Sequence, residues 1–512
     1  MKHFHVVNLL KQIANVPDSA SGISILEYNS LEECESKVRE LYNTVPANPF
    51  FTYEWLYLWK KYFAPKAKVK VLVIQDNGKT IGFLPLVYRN IPLLFTTVFQ
   101  FMGTYKSNYL CIPAAECSKR KVYDEVFRYF KAYRRGAILQ IEGVNDSTTD
   151  YSILVEKQDA HKLVKGYRFF QFSCPYINLE GSWDELFKKH YSKSKRRSRL
   201  NGFEEKLEYT GKVQFIRICD EKSYAAYGDL LEQTFAIHRL RFRNEWNSSR
   251  YSEDAYSGFY RELFREYARM GLLDMSLICI DGIVVSFSLA FRQGKTLIGY
   301  IPGFYIPFKC FSLGHVHLMK LFRHLLNEND ISCFDLSLGN QEYKERWADG
   351  HTYNYSFLFR FGNNPFTLAS AFFMKQLMEF RAAARKRGWN EKVKWLLARI
   401  RKIKTEKSFL DEEGFLVDCS EKPISWTSEK EYTLKELLLM PLCIQTFVLK
   451  QIYGGKKISF LYQGSNLAGI KAVDDQEEII YQYIQGKIRR EKMNDRRTRH
   501  FRIKHEYKER PA

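Results

Sequence analysis

Two stretches of the chain, about 200 residues apart, carry the same pattern of apolar and polar positions. "VKVLVIQDNGKTIGFLPLVY" (Val69 to Tyr88) and "LDMSLICIDGIVVSFSLAFR" (Leu273 to Arg292) each read as an apolar run, a turn at Asn-Gly or Asp-Gly, and a second run of alternating apolar residues. Those dipeptides supply the positive φ angles of two-residue hairpin turns, so each stretch predicts a β-hairpin. A helical stretch precedes each one, "SLEECESKVRELYN" before the first and "DAYSGFYRELFREYARMG" before the second. The second hairpin continues past "RQGK" into a third strand, "TLIGYIPGF", and then a helix, "GHVHLMKLFRHLLNEN", with Val316, Met319 and Phe322 on one face. "CFDLSLGNQEYKERW" (Cys333 to Trp347) then predicts a strand, a turn at Gly339 and a short helix that presents Tyr343, Lys344 and Trp347. The recurring order predicts an α+β fold with two related lobes, residues 1–170 and 171–365.

The texture changes after Phe366. Ala369 to Lys404 predicts one or two basic amphipathic helices within a segment 366–404, and residues 405–512 predict a small appended domain ending in a basic tail.

Composition narrows the class. A chain of 512 residues with 45% apolar and 16% aromatic residues is too long for one ordinary core and well able to bury several. No run reaches about 18 apolar residues, so no spanning helix is expected. The start, "MKHFHVVNLLKQIANV", lacks a long apolar core and a small-residue cleavage site, so no signal peptide is expected. None of the ten cysteines stands in C-x-x-C spacing, which reads as free thiols in a reducing compartment. A cytoplasmic protein is expected, with peripheral contact to the inner face of the membrane kept open. The net charge of +21 is uneven: residues 375–407 carry +9, residues 487–512 carry +7, and "KKHYSKSKRRSR" (Lys188 to Arg199) carries +7 without an acid. Such clusters suit phosphate groups or an anionic membrane surface, and equally a solvated helix face. No helix-turn-helix, zinc or RRM-type signature accompanies them, so no specific nucleic-acid partner is expected.

Four segments taken together resemble the CelD-like (cellulose and exopolysaccharide biosynthesis) branch of the GNAT-type acyltransferases. They are "NPFFTYEWLYLWKKYF" (Asn48 to Phe63), "LLEQTFAIHRLRFRNEW", "YIPFKCFSLGHVHLM" and "FDLSLGNQEYKERW". The last is similar to the family's D-F-x-x-G-x-x-x-Y-K-x-x-W ending, and the likeness covers roughly residues 23–362. Two departures stand out. Leu313 replaces the family's proline in Ser-Pro-Gly, and the Arg/Gln-x-x-Gly-x-Gly/Ala loop of ordinary GNAT enzymes is absent. The resemblance implies tandem GNAT-like lobes with mixed, mainly antiparallel sheets. It also implies an acyl-CoA co-substrate, acetyl-CoA foremost, with no permanently bound cofactor, and a sugar or envelope-precursor acceptor. The architecture is shared with the Fem-type aminoacyltransferases. That alternative would use aminoacyl-tRNA and a long helical arm, where residues 184–210 predict only a short helix. A non-catalytic membrane-surface or polysaccharide assembly factor is the third reading.

The candidate site residues follow. Acyl transfer needs a partner for the developing oxyanion and a positioned acceptor. Lys344, just past a strand end, is the candidate for that charge, with Asp335 as base or orienting partner and His238 as a second possible base. Ser312, Gly314 and His315 lie where a helix start would offer backbone N–H groups of residues 314–316 to an anion, and Tyr300 and Gly303 precede them as donor-site candidates. Lys195, Arg196, Arg197 and Arg241 are candidate phosphate contacts, and Tyr343 and Trp347 are candidate walls for the substrate. Each has a plain structural counterpart: a capped helix, a snorkelling lysine, a basic solvent face. His315 and His317 are two apart on a helix and do not share a face, so no metal site is expected.

Overall fold

The computed structural model describes residues 22–45, 48–91, 96–133, 136–158, 164–242, 254–386, 415–418, 427–440, 442–474 and 478–484. The first lobe runs β1 (Ile23–Tyr28), α1 (Glu35–Tyr42), α2 (Tyr53–Phe63), β2 (Lys68–Asp76), β3 (Lys79–Ile91), β4 (Thr96–Phe101), α3 (Lys119–Lys131), β5 (Ala137–Asn145), α4 (Thr149–Lys157) and β6 (Val164–Asn178). Two helices, α5 (Trp183–His190) and α6 (Ser194–Leu207), lead to the second lobe. It runs β7 (Val213–Ile218), α7 (Glu221–Tyr227), α8 (Leu231–Phe242), α9 (Asp254–Arg269), β8 (Leu273–Ile280), β9 (Ile283–Gln293), β10 (Thr296–Phe304), α10 (Leu313–Glu328), β11 (Cys333–Asp335), α11 (Glu342–Trp347) and β12 (Gly350–Phe361). The long helix α12 (Pro365–Lys386) follows. The remaining described elements are β13 (Phe415–Asp418), β14 (Ser428–Glu431), α13 (Leu434–Leu438), α14 (Leu442–Tyr453), β15 (Lys457–Gln463), β16 (Asn466–Val473) and β17 (Glu478–Ile484).

The fold is α+β, and the repeat read from the sequence is present. Both hairpins turn as the dipeptides require: Asn77 and Gly78 have φ of +48° and +81°, Asp281 and Gly282 +51° and +81°. The register is interrupted at matching places, Ile74/Gln75 in β2 and Ile278/Cys279 in β8. Twelve strands form one sheet in the order β1-β2-β3-β4-β5-β12-β6-β11-β10-β9-β8-β7. Its centre holds an exchange. β6, the last strand of the first lobe, pairs with β11 of the second, while β12 pairs with β5 of the first. β6 and β12 also pair with each other, from Val164↔Phe361 to Tyr176↔Gly350. The expected boundary at residue 170/171 therefore falls inside β6.

The lobes are fastened on their helices as well. Trp55 of α2 meets Phe259 of α9 edge to face at 5.3 Å, and the Thr52 hydroxyl lies 2.9 Å from that of Tyr267. This aromatic seam belongs to a core that runs through both lobes. A second core joins α5, α6 and α10 to α13, α14, β15 and β16, so the five-stranded sheet near the C-terminus (β13-β17-β16-β15-β14) rests on the second lobe. A third, small core lies under α12, where Ala371 and Met378 pack on Val98, Ile138, Phe169 and Leu358.

Candidate functional site

β10 and β11 run parallel for only three residue pairs, Thr296↔Cys333 to Ile298↔Asp335, after which β10 continues to Phe304 paired with β9 and no longer with β11. The chain leaving β11 at this opening is constrained. Ser337 has a φ of +65° and Gly339 of +98°. Positive φ is costly for serine, so the surroundings must hold it. They do. The Ser337 N–H donates to Asp335 Oδ1 at 2.6 Å, and Asn108 of the first lobe donates from Nδ2 to the Ser337 hydroxyl at 2.7 Å. Lys344, only 6% exposed, donates from Nζ to the Leu338 carbonyl at 2.7 Å and the Ser337 carbonyl at 3.3 Å. Lys344 thus turns inward and fastens the turn, where the sequence had suggested that it faces a ligand.

Burial lowers the Lys344 pKa to about 8, although Asp335, Cys174 and Glu345 all oppose the shift. Burial raises that of Asp335, against the pull of Tyr109, the Ser337 N–H and Lys344. Tyr109, on the loop between β4 and α3, points its hydroxyl toward Asp335 and Cys174. No atom meets that buried hydroxyl with full hydrogen-bond geometry, and burial keeps it protonated. Asn354, on β12, donates to the Asn108 carbonyl at 2.9 Å and so fixes the loop that brings Asn108 and Tyr109 in. Both lobes therefore build the cluster. The first lobe has no copy of it: with Ala137 at the place of Cys333 and Gly143 at that of Gly339, Leu139 and Thr148 stand where Asp335 and Lys344 stand. Thr148 caps α4, accepting from the Tyr151 N–H and donating to the Asn145 carbonyl at 2.7 Å.

A second cluster lies at the start of α10. Ser312 adopts the left-handed region (φ +48°) and makes no side-chain cap. Its carbonyl accepts from the His315 N–H at 2.8 Å and the Val316 N–H at 3.2 Å, so those two groups, expected to meet an anion, are already engaged. Side chains supply the charge instead. Burial, and then the charges of Arg346 of α11 and Arg196 of α6, hold the pKa of His315 below the usual value against the pull of Glu342. Burial raises the pKa of Tyr191 against the opposing charges of the same two arginines, and the Arg196 guanidinium lies 5.2 Å from the Tyr191 ring centroid. His315 Nδ1 and Tyr191 Oη are both buried without a hydrogen-bond partner. Two unmet polar atoms beside two arginines at a helix start form a setting for an anionic ligand.

The other sequence candidates fall elsewhere. Trp347 is fully buried, edge to face with Phe322 at 5.2 Å and Tyr191 at 5.0 Å, and its buried Nε1 has no hydrogen-bond partner. Tyr343 is partly buried on α11. Arg197 donates to the Tyr191 and Ser192 carbonyls, each at 2.6 Å, and anchors the entry to α6, whereas Lys195 is exposed on that helix. Tyr300 sits in the aromatic seam and donates to the Lys106 carbonyl at 2.8 Å. A side chain at Gly303 would meet the Phe287 ring at 2.3 Å, so packing explains that glycine. His238 is buried on α8, and the Arg241 side chain lies outside the described residues. His317 is a core histidine between the Ser276 and Ser286 hydroxyls at 2.8 and 2.9 Å, its pKa lowered to about 3 by burial. Among the described residues no group of metal-ligating side chains is present, and no helix is long and apolar enough to cross a membrane.

Sequence reasoning missed Asn108, Tyr109, Cys174, Tyr191 and Arg346. The loop "GTYKSNYLC" (Gly103 to Cys111) has no period to read, and only the lobe repeat marks it as the counterpart of the segment before α10.

Residues 194–345, which include Arg196, His315, Asp335 and Lys344, match the family described as an acetyltransferase (GNAT) domain. No curated protein matches the sequence significantly. Among solved structures, the chain is similar to FemX (12% identity, 66% of this chain and 97% of that one, TM-score 0.41). It is similar to L-PGS from Bacillus licheniformis (12%, 68% and 97%, TM-score 0.39). A tandem GNAT protein from the clavulanic acid biosynthesis pathway is a further match (8%, 65% and 98%, TM-score 0.33). The second lobe is thus where the likeness to acetyltransferases resides.

Proposed function

We propose that the second lobe transfers an acyl group from an acyl-CoA, acetyl-CoA foremost, to an amine or hydroxyl of a sugar or cell-envelope precursor. The observation that carries the reading is the pair of buried, unmet polar atoms, His315 Nδ1 and Tyr191 Oη, beside Arg196 and Arg346 at the start of α10. Phosphate oxygens would satisfy both atoms and meet Arg196, and would compete with Glu342 for the Arg346 guanidinium. In the reaction the acceptor nitrogen or oxygen bonds to the thioester carbon and gives up its proton, the C–S bond breaks, and the sulfur takes a proton. Tyr109, kept neutral by burial and directed at Asp335 and Cys174 without full hydrogen-bond geometry, is suited to donate to the departing sulfur or to the developing oxyanion. Lys344 and Asp335 act through position: they hold the turn at 335–339 that faces Tyr109.

The identity of the acceptor rests on the resemblance alone. The Fem-type alternative has less support, because the segment between the lobes forms helices of 8 and 14 residues and no long arm. The deciding experiment is calorimetric titration of the full chain with acetyl-CoA, longer acyl-CoAs, UDP-sugars and aminoacyl-tRNA, paired with release of free thiol. Saturable acyl-CoA binding that Arg346→Gln weakens is expected. Binding of aminoacyl-tRNA and of no acyl-CoA would overturn the reading.

A further inference from the structure

Helix α12 is apolar on both sides. One side, with Ala371 and Met378, packs on the centre of the sheet. The other presents Leu368, Phe372, Phe373, Leu377 and Phe380, which are between 40% and 70% exposed. An exposed phenylalanine alone needs no explanation, but five large apolar side chains on one helix mark a contact surface. Charge identifies what covers it. Lys375 and Arg381 flank the apolar side, and Glu379, the one acid on the helix, pairs with Lys375 at 3.3 Å. By count along the sequence that leaves Arg381, Arg385 and Lys386 in excess. The sequence continues "RGWNEKVKWLLARIRKIK" (Arg387 to Lys404), and residues 375–407 together carry +9. A second copy would bring two such segments together, and the chain's own terminal segment, residues 487–512, carries +7. Both are repelled. An anionic surface with an apolar interior is complementary in both respects.

We propose that α12 is a membrane-docking helix, its Phe372, Phe373 and Phe380 side chains entering the acyl-chain boundary of an anionic bilayer while its cations meet the headgroups. The described helix is too polar to span, so the contact is peripheral. The proposal stands independently of the acyl-transfer reading.

The test is flotation of the full chain with phosphatidylcholine vesicles and with vesicles containing about a quarter phosphatidylglycerol, each at about 50 mM and about 500 mM salt. Wild type is expected to float with the anionic vesicles at low salt and to be released at high salt. The triple substitution Phe372→Ser, Phe373→Ser and Phe380→Ser, confined to exposed side chains, is expected to weaken binding at least about tenfold. Lys375→Gln with Arg381→Gln should weaken it less and reduce its salt dependence. Three results would overturn the proposal. One is full binding by the triple variant, which would place the contact in the basic segments alone. Another is no binding by wild type to anionic vesicles at low salt. The last is a wild-type dimer that the triple variant dissolves.

Discussion

Asn108 of the first lobe donates from Nδ2 to the Ser337 hydroxyl of the second at 2.7 Å, and both residues are buried. This bond crosses between the lobes and lands on a serine held at φ +65°. Asn108→Ala would leave the hydroxyl without that donor, and loss of a buried partner costs about 1–3 kcal/mol. The expected result is a loss of stability in that range with lowered activity, read from denaturant midpoints and turnover. Ser337→Gly removes the same bond but permits positive φ, so it should cost less than Ser337→Ala. If the two serine variants were equally stable, the turn would not be under strain.

Lys344 makes a pH-dependent prediction. Its pKa falls from 10.5 to about 8 on burial. Between these values the unfolded chain binds more protons than the folded one, so this group makes stability rise with pH across the window. Below about pH 8 the burial cost is fully present. Lys344→Met should flatten the slope of unfolding free energy against pH between about 8 and 10, whatever it does to the absolute value. Denaturant titrations at several pH values would show it. If Lys344 positions the turn, the variant lowers kcat with a distorted cluster, and any acid limb of the rate profile near pH 8 stays. Loss of that limb would instead make Lys344 a proton carrier.

The exchange of β6 and β12 predicts that neither lobe stands alone. β11 spans three residues and lies between β10 and β6, so a fragment beginning after Asn178 would leave it without one partner. Such a fragment should be insoluble or lack cooperative melting, while co-expression with residues 22–178 should restore a soluble complex. Cooperative folding of the isolated second lobe would mean that the exchange contributes little.

The sequence shows the local geometry well and the long-range geometry poorly, for a physical reason. Asn77-Gly78 and Asp281-Gly282 announce their hairpins because the turn conformation is a property of two adjacent residues. The helix over 313–328 follows from a period of buried positions, and Asp335 with Lys344 from a recognisable motif. The pairing of β12 with β5 depends on segments some two hundred residues apart, and no local pattern encodes it. Tyr109 and Asn108 come from a loop, where the backbone obeys no period. Arg346 lay between two motif residues and was passed over, yet its charge acts on His315 while that of Lys344, two positions earlier, is coupled to Asp335. Alternate directions on one short helix serve two clusters.

Gly314 offers the cleanest test of where a donor phosphate would sit. The residue is the second of α10, and a methyl group there would touch only the Phe304 ring at 3.8 Å, an ordinary contact. Gly314→Ala should therefore fold normally and, because glycine is costly in a helix, melt slightly higher, by up to about 0.5–1 kcal/mol. The substitution adds bulk at the helix start and leaves Arg196, Arg346 and His315 in place. If the phosphate rests against the backbone of residues 313–314, affinity for acetyl-CoA falls in Gly314→Ala and falls further in Gly314→Val. If it rests on side chains, both glycine variants bind as wild type, while Arg346→Gln loses at least about tenfold, the worth of one charge-assisted bond. The engagement of the His315 and Val316 N–H groups by the Ser312 carbonyl favours the second outcome. Calorimetry with acetyl-CoA on the three variants decides between them. Unchanged affinity in Arg346→Gln together with a loss in Gly314→Ala would move the anion from the arginines to the helix end.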